Sequence, residues 1–242
     1  GAFALTTERY EPGVLHPDGA TRITAFATDP WPTWTFALPD GTLVEHAVVV
    51  RQGQPTVSLT WRLVHSDGGP VVLRVRPFLS GRDYHSLHHE NSAFRFEPER
   101  DGALLTWRPY DGIPAIHVVS NASYEHAPEW YRNFRYEEER ERGLDGTEDL
   151  ASPGVFRFDL TAGPGELVFA AAHDGQAPFH ARTDARAYAA ALRECERDRR
   201  AVFASPLHRA ADAYLVARGS GRTIVAGYAW FTDWGRDTFI AL

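Results

Sequence analysis

The stretch TVSLTWRL, residues 56–63, alternates between apolar and polar side chains along its whole length. Its odd-numbered positions are apolar, namely Val57, Leu59, Trp61 and Leu63. Successive side chains of a β-strand point to opposite faces of a sheet, so this pattern predicts a strand with one buried face. The alternation favours an antiparallel sheet, because strands of parallel sheets are usually apolar on both faces.

The same alternation returns in other short segments, including residues 71–75, 156–160 and 167–171. Turn-forming sequences separate such segments, as with PDG at residues 39–41 and GPG at residues 163–165. Many short strands with polar outer faces are typical of two antiparallel sheets packed face to face. We therefore predict a mainly β chain whose first part is an antiparallel β-sandwich.

Beyond residue 182 the hydrophobic period changes to that of α-helices. One helical stripe is formed by Tyr188, Leu192, Cys195, Val202 and Phe203. Ser205 and Pro206 then provide an N-cap and a first-turn residue for a second helix. Gly219 is its predicted C-terminal cap, and its predicted apolar face consists of Leu207, Ala210, Ala211, Tyr214 and Leu215.

The composition limits the classes of partner and compartment. Of the 242 residues, 43% are hydrophobic, which is enough to bury a sizeable core. A net charge of −7 argues against nucleic acid and anionic membranes as partners, because phosphate groups need a basic surface. The single cysteine, Cys195, excludes an internal disulfide framework and a cysteine-based metal cluster. A reducing cytoplasm is the simplest compartment, although a cysteine-poor secreted protein would have the same composition. No apolar run approaches the roughly 20 residues of a membrane-spanning helix.

The most aromatic stretch of the chain is GYAWFTDWGRDTFIAL, residues 227–242. A helix beginning at Thr238 would place Asp237 beside a positive N-terminus, which keeps its carboxylate ionised and able to accept from two hydroxyls. Arg236 adds a planar pair of donors and Trp234 a flat apolar face, so the group suits a sugar ring. Alternatively, Asp237 only caps the helix and pairs with Arg236, while the aromatic rings belong to the core.

Two other stretches carry groups with catalytic or metal-binding chemistry, and neither specifies a site. In WYRNFRYEEERERGLDGTEDL, residues 130–150, four aromatic residues precede a run of Glu and Arg. The run could place carboxylates beside an aromatic platform, but a dense mixture of both charges is more typical of a solvated segment on a long loop. In residues 82–90, a strand would place His85 and His89 about 13 Å apart on one face. No further ligand set accompanies them, so no metal site is predicted.

On four stretches the chain resembles the microbial glycogen debranching enzymes with amylo-α-1,6-glucosidase activity. These stretches are residues 30–50, 76–91, 130–154 and, most specifically, WFTDWGRDTFIAL at residues 230–242. The resemblance implies a glycoside hydrolase that cleaves α-1,6-glucosidic branch linkages in glycogen or limit dextrin. Glycogen or another α-glucan is the expected partner, and no cofactor is expected.

The resemblance also implies a domain organisation. Residues 1–182 would form a supersandwich-like N-terminal β-sandwich, and residues 183–204 a linker helix. Residues 205–242 would begin an (α/α)6 toroid that is truncated in this chain. The catalytic acid and base are then expected beyond Leu242, so the catalytic residues are unknown and this piece alone is expected to be inactive.

The spacing Trp-x-Arg-Asp at the end of the chain is also similar to a pattern of glucoamylases. That similarity implies that Arg236 and Asp237 hold the outer hydroxyls of a glucose unit in the −1 subsite. Trp234 and Phe231 would shape the wall of this subsite, and Asp233 completes the predicted substrate-binding set.

Two alternatives remain open from the sequence. The first is a related enzyme of the same layout, either a glucoamylase-like α-glucosidase or a disaccharide phosphorylase, of which the latter would need a basic phosphate pocket. The second is a stand-alone glycan-binding or structural β-sandwich, which would bind glycogen unaided. The debranching hypothesis instead predicts weak or no binding by this piece, because part of a subsite lacks its enclosing walls.

Overall fold

Thr56–His65 forms a central strand of the larger of two facing antiparallel sheets. The computed structural model describes residues 1–83, 86–173, 175–228 and 230–241. Its strands pair antiparallel throughout the described residues, and the mainly β, sandwich-then-helices fold class predicted from the sequence is confirmed. The division at residues 182 and 204 stays a prediction.

The larger sheet has eight strands. In spatial order they are β3 (Ile23–Ala27), β4 (Thr33–Ala37), β5 (Leu43–Val50), β6 (Thr56–His65), β13 (Gly165–Ala172), β10 (Ala115–Ser120), β9 (Leu104–Trp107) and β8 (Glu99–Asp101). The smaller sheet has five, in the order β2 (Val14–His16), β1 (Glu8–Tyr10), β11 (Ser123–Arg135), β12 (Thr147–Asp159) and β7 (Val72–Val75). A short 3-10 helix, Gly19–Arg22, leads into β3.

The main core lies between these two sheets. Trp61 and Leu167 from the larger sheet pack with Phe156 and Phe158 from the smaller one, and Trp107 at the centre is fully buried. Side chains at alternate positions of β6 and β13 enter this core, as the period of two predicts. Burial of such large side chains contributes about 1.5–3 kcal/mol each, so this layer dominates the stability of the sandwich.

A second apolar layer covers the outer face of the larger sheet. Helix α2 (Ala185–Ala201) begins at an N-cap aspartate, Asp184, and packs its buried Ala189 against Val168 and Ala170. The buried stripe of α2 therefore consists of Ala185, Ala189, Leu192 and Glu196.

The predicted stripe was only partly right. Tyr188 and Leu192 do pack towards the sheet, but Cys195 is exposed and Val202 lies beyond the end of α2, 78% exposed. Small alanine side chains let the helix approach the sheet closely, and they carry little hydrophobic signal in a sequence pattern.

The polar face of β6 is covered by α2 at Ser58 and Thr60, whereas Arg62 on the same face is exposed. Ser58 is fully buried, and the hydroxyl of Thr60 donates to the carboxylate of Glu166 on β13. Arg193 of α2 completes this group with an ion pair to Glu166 at 2.9 Å. A buried carboxylate needs such partners, because an unpaired charge away from water is costly.

The chain after α2 contains both helices and strands. Helix α3 (Pro206–Asp212) begins as predicted, with Ser205 accepting from the backbone N–H of His208. A three-stranded sheet follows, made by β14 (Leu215–Arg218), β15 (Gly221–Gly227) and β16 (Phe231–Asp233), and helix α4 (Gly235–Ala241) comes last. None of the helices in the described part of the chain is both long and apolar enough to cross a membrane.

The prediction of a single helix from Pro206 to a cap at Gly219 was wrong. Gly219 has a φ of +57° and lies in the tight turn between β14 and β15, so it marks a hairpin and not a helix end. Residues 223–225 are Thr, Ile and Val, and β-branched side chains of this kind favour a strand.

Gly154 lies where β11 and β12 approach each other closely. A Cβ built on this residue meets the carbonyl oxygen of Glu125 and lies 2.7 Å from the hydroxyl of Tyr124. Because that carbonyl belongs to the neighbouring strand, we expect Gly154→Ala to lower the free energy of unfolding by about 1–3 kcal/mol. Urea denaturation measures the change. Gly221→Ala is the matched control, since the nearest atom to its added Cβ lies 3.8 Å away. Equal effects of both substitutions would contradict the prediction.

Candidate functional site

The terminal segment presents the predicted sugar-binding side chains on a short strand and the helix after it. Phe231 is 47% exposed on β16, and Trp234 is 53% exposed just before α4. Arg236 and Asp237 lie in the first turn of α4, with 3.7 Å between the guanidinium and the carboxylate. The helix begins at Gly235, three residues earlier than expected, and this still places Asp237 near its positive end.

Most of these side chains face outward, so the interpretation of the aromatic rings as core is wrong for Phe231 and Trp234. The side chain of Arg236 is 77% exposed and that of Asp237 is 38% exposed. An ion pair at 3.7 Å in water holds its members weakly. Both groups can therefore turn towards a ligand without losing a strong internal contact.

Asp233 differs from the other four, because its carboxylate is engaged within the three-stranded sheet. It forms an ion pair with Arg218 on β14 and accepts a hydrogen bond from Thr223 on β15. Desolvation raises the pKa of Asp233, but the hydrogen bonds from Thr223 and Arg218 outweigh it and leave the pKa below its ordinary value. The contacts of Asp233 thus tie β16 to the other two strands.

The charged stretch after residue 136 forms a turn of helix, α1 (Glu137–Glu141), between the long strands β11 and β12. The predicted long loop is therefore wrong, whereas the predicted solvation of its charges is consistent with the exposed Glu138 and Glu141. Phe134 is buried and Trp130 packs against the main core, so these two aromatic side chains form no exposed platform.

Two side chains of this charged turn contact Trp230 in the terminal segment. The indole N–H of Trp230 donates to a carboxylate oxygen of Glu139 at 2.9 Å. The guanidinium carbon of Arg142 lies 3.7 Å from the centroid of the indole ring, within the range of a cation–π contact. The β-sandwich and the terminal segment therefore meet at Trp230.

A cleft of about 300 Å³ opens beside these contacts, and we call it the Trp230 cleft. Its lining combines two aromatic rings, two aliphatic side chains, one guanidinium and two carboxylates. They belong to Arg82, Leu87, Tyr136, Glu139, Leu144, Asp145 and Trp230.

A buried carboxylate supports one wall of the Trp230 cleft from below. Glu148 is 1% exposed and accepts hydrogen bonds from the Arg82 guanidinium, from the Tyr136 hydroxyl at 2.6 Å and from the backbone N–H of His88 at 3.0 Å. Burial raises the pKa of Glu148, but the bonds from Arg82 and Tyr136 outweigh it and hold the pKa below its ordinary value. Burial and, as a smaller cause, the hydrogen bond to Glu148 both raise the pKa of the Tyr136 hydroxyl. The phenol and the guanidinium are thereby fixed in orientation.

The histidines of residues 82–90 have no shared ligand geometry in the described chain. His88 is buried, and its ring nitrogens lie 3.0 Å from the carbonyl oxygen of Asp149 and 2.6 Å from the hydroxyl of Tyr110. Its pKa is lowered, chiefly by burial. His85 lies outside the described residues. Among the residues described, no three His, Cys, Asp or Glu side chains cluster as metal ligands would.

The sequence did not reveal the Glu148 group or the role of Trp230. Glu148 and Arg82 lie 66 positions apart, and Trp230 and Glu139 lie 91 positions apart. Their pairing depends on the strand register and not on any local motif. A weak signal existed in residues 147–159, where a lone Glu occupies a position that the alternation assigns to the buried face.

The contact between Glu139 and Trp230 can be tested with a double-mutant cycle. We expect Glu139→Ala and Trp230→Phe each to lower the hydrogen-exchange protection of residues 221–233. We also expect the double variant to lose less free energy of local opening than the two single variants lose together. The difference should be about 0.5–1.5 kcal/mol, because both single variants break the same hydrogen bond. Glu138→Ala, an exposed charge on the same turn, is the control. Strict additivity would show that the two side chains do not interact.

Two family models match the chain. The model described as "Glycogen debranching enzyme N terminal" matches residues 1–165, and the model described as "Amylo-alpha-1,6-glucosidase" matches residues 209–242. The second match contains all five predicted sugar-binding residues. No curated protein sequence matches the chain at a significant level.

Proposed function

The chain belongs to the glycogen debranching enzyme family, a family of glycoside hydrolases, and on this basis we propose its part in catalysis. The chain forms part of an enzyme that hydrolyses α-1,6-glucosidic branch linkages of glycogen or limit dextrin. The β-sandwich supports the catalytic domain, and residues 205–242 supply the first elements of that domain. A reducing cytoplasm, where glycogen is stored, is the proposed compartment.

The observation that carries the proposal is the outward-facing group of Trp234, Arg236 and Asp237 at the beginning of α4. An ionised carboxylate accepts from two neighbouring hydroxyls of a pyranose ring, and a guanidinium donates to one or two more. An indole covers the apolar face of the same ring. In the proposed −1 subsite, Asp237 and Arg236 bind the outer hydroxyls while Trp234 and Phe231 form the wall.

The proposal places the catalytic acid and base on residues that this chain does not contain. An inverting glycosidase needs two carboxyl groups about 6.5–9.5 Å apart, with room for a water molecule between them. Asp237 has a binding role in this scheme, and the Asp233 carboxylate is held by Arg218 and Thr223. The 242 residues alone are therefore proposed to be inactive.

The test compares this chain with an enzyme that carries the entire catalytic domain. The complete enzyme is expected to release glucose from glycogen limit dextrin without added phosphate, and the 242-residue chain is expected to release none. Preference for maltose would favour a glucoamylase-like α-glucosidase, and a requirement for phosphate would favour a phosphorylase. Hydrolysis by the 242-residue chain itself would overturn the assignment of the acid and base.

A further inference from the structure

We propose that the Trp230 cleft binds a glucosyl unit of the α-glucan, so that the β-sandwich contributes a sugar subsite of its own. The inference rests on the proposed function, because it assigns the cleft to the same substrate. It extends that function, because Tyr136, Leu144 and Asp145 belong to the sandwich and none of them lies in the terminal segment.

The shape of the cleft suits one sugar ring. Its volume of about 300 Å³ lies at the lower end of the range for small-molecule sites. Trp230 and Tyr136 supply ring surfaces, and Leu144, which is 52% exposed, adds an aliphatic edge at the solvent side. Flat apolar surfaces of this kind pack against the C–H faces of a pyranose while its hydroxyl groups point to the sides.

The polar groups of the cleft keep capacity for hydroxyl groups. A guanidinium has five N–H donors, and the described contacts of Arg82 use three, with Glu148 and with the carbonyl of Asp83. Glu139 accepts from Trp230 through one oxygen, and Asp145, whose side chain is 69% exposed, accepts from the backbone N–H of Thr147. A carboxylate offers about four acceptor positions, so both can accept further hydrogen bonds from a ligand.

The charges select a neutral ligand over an anionic one. The positive charge of Arg82 is already balanced by the buried Glu148. The other charged side chains of the lining are the carboxylates of Glu139 and Asp145, which would repel phosphate. The guanidinium of Arg142 lies over the ring of Trp230, so it balances one of these two negative charges without creating an excess of positive charge. A neutral polyol is the class of ligand whose charge and hydroxyl groups match such a surface.

The position along the chain links the cleft to the proposed −1 subsite. Trp230 precedes Arg236 by six residues, and six residues of extended chain span at most about 20 Å. A glucan chain of a few units can therefore contact both places. The Trp230 cleft would bind a unit of the chain around the branch and not the glucose that is released.

Filling the cleft tests this inference on the 242-residue chain. Isothermal titration with maltoheptaose is expected to show millimolar binding, and Leu144→Trp is expected to weaken it at least tenfold by occupying the space of the ring. Val202→Trp is the matched control, because Val202 is 78% exposed beyond the end of α2 and lines no part of the cleft. Thermal melts followed by circular dichroism establish that both variants are folded. Asp145→Ala, which removes an acceptor and adds no bulk, provides a second measure and is expected to weaken binding severalfold.

Three results would overturn the inference. The first is that Leu144→Trp binds maltoheptaose with the same affinity as the unsubstituted chain. The second is that the unsubstituted chain shows no maltoheptaose binding up to about 10 mM. The third is that the unsubstituted chain binds inorganic phosphate and Leu144→Trp abolishes that binding. Failure of the proposed function would look different. In that case the complete enzyme would release no glucose from limit dextrin, while maltoheptaose binding and its loss in Leu144→Trp would persist.

Discussion

Replacement of Glu148 by alanine is expected to lower the free energy of unfolding by about 3–5 kcal/mol, because it removes one member of a buried ion pair. The carboxylate is 1% exposed and accepts from Arg82, Tyr136 and the backbone of His88. Its loss leaves a half-buried guanidinium, a phenol and an N–H without their acceptor. Urea denaturation measures the effect. Glu138→Ala removes an exposed carboxylate ten residues earlier in the same β11–β12 hairpin, and it should change stability by less than about 0.5 kcal/mol.

The same group predicts a pH dependence with a defined sign. The pKa of Glu148 in the folded chain lies below its ordinary value of 4.5, so its contribution to stability is fully present above that pH. The contribution is lost as the pH falls through the lowered pKa, because protonation ends the interaction with Arg82. In Glu148→Gln the loss of stability below pH 4.5 should be less steep than in the unsubstituted chain. Identical acid denaturation of the two proteins would show that Glu148 does not control this transition.

The architecture could be predicted from local patterns because those patterns have a direct physical cause. Alternation in residues 56–63 reports a strand with two unlike faces, and β6 indeed sends Leu59 and Trp61 into the core. What covers the other face could not be predicted, since Ser58 and Thr60 appear equally polar whether they contact water or α2. The hairpin around Gly219 was missed for a related reason, because glycine ends helices and forms tight turns through the same left-handed conformation.

The candidate site also has one part that local sequence pointed to and another part that it could not reveal. Trp234, Arg236 and Asp237 are close in sequence, so their spacing pointed to a sugar-binding group beside the alternative of a helix cap, and the sugar-binding role stays a prediction. The Trp230 cleft could not be predicted, because its walls come from three distant parts of the chain. These are Arg82 with Leu87, four residues between Tyr136 and Asp145, and Trp230. Only the pairing of β11 with β12 and the fold of the terminal segment bring those stretches together.

In an enzyme with the entire catalytic domain, Asp237→Ala is expected to lower kcat/KM on limit dextrin by about 100- to 1,000-fold, which corresponds to roughly 3–4 kcal/mol of transition-state binding. The carboxylate is 38% exposed, and its ion pair with Arg236 spans 3.7 Å, so it is available to the outer hydroxyls of a glucose unit. Asp198→Ala, an exposed carboxylate on α2, is the control and should leave kcat/KM unchanged. Near-normal debranching by Asp237→Ala would refute the assignment of this residue.

A substrate that lacks one outer hydroxyl on its terminal glucose separates a binding role from a structural one. If Asp237 accepts from that hydroxyl, its removal should weaken the unsubstituted enzyme strongly and Asp237→Ala hardly at all, since the interaction is already absent. Asp233 should behave in the opposite manner. Because its carboxylate joins β16 to Arg218 and Thr223, Asp233→Asn should reduce the hydrogen-exchange protection of β14–β16 and respond to the deoxy substrate as the unsubstituted enzyme does. If both variants respond alike, the two carboxylates share one role and the distinction drawn from their contacts is wrong.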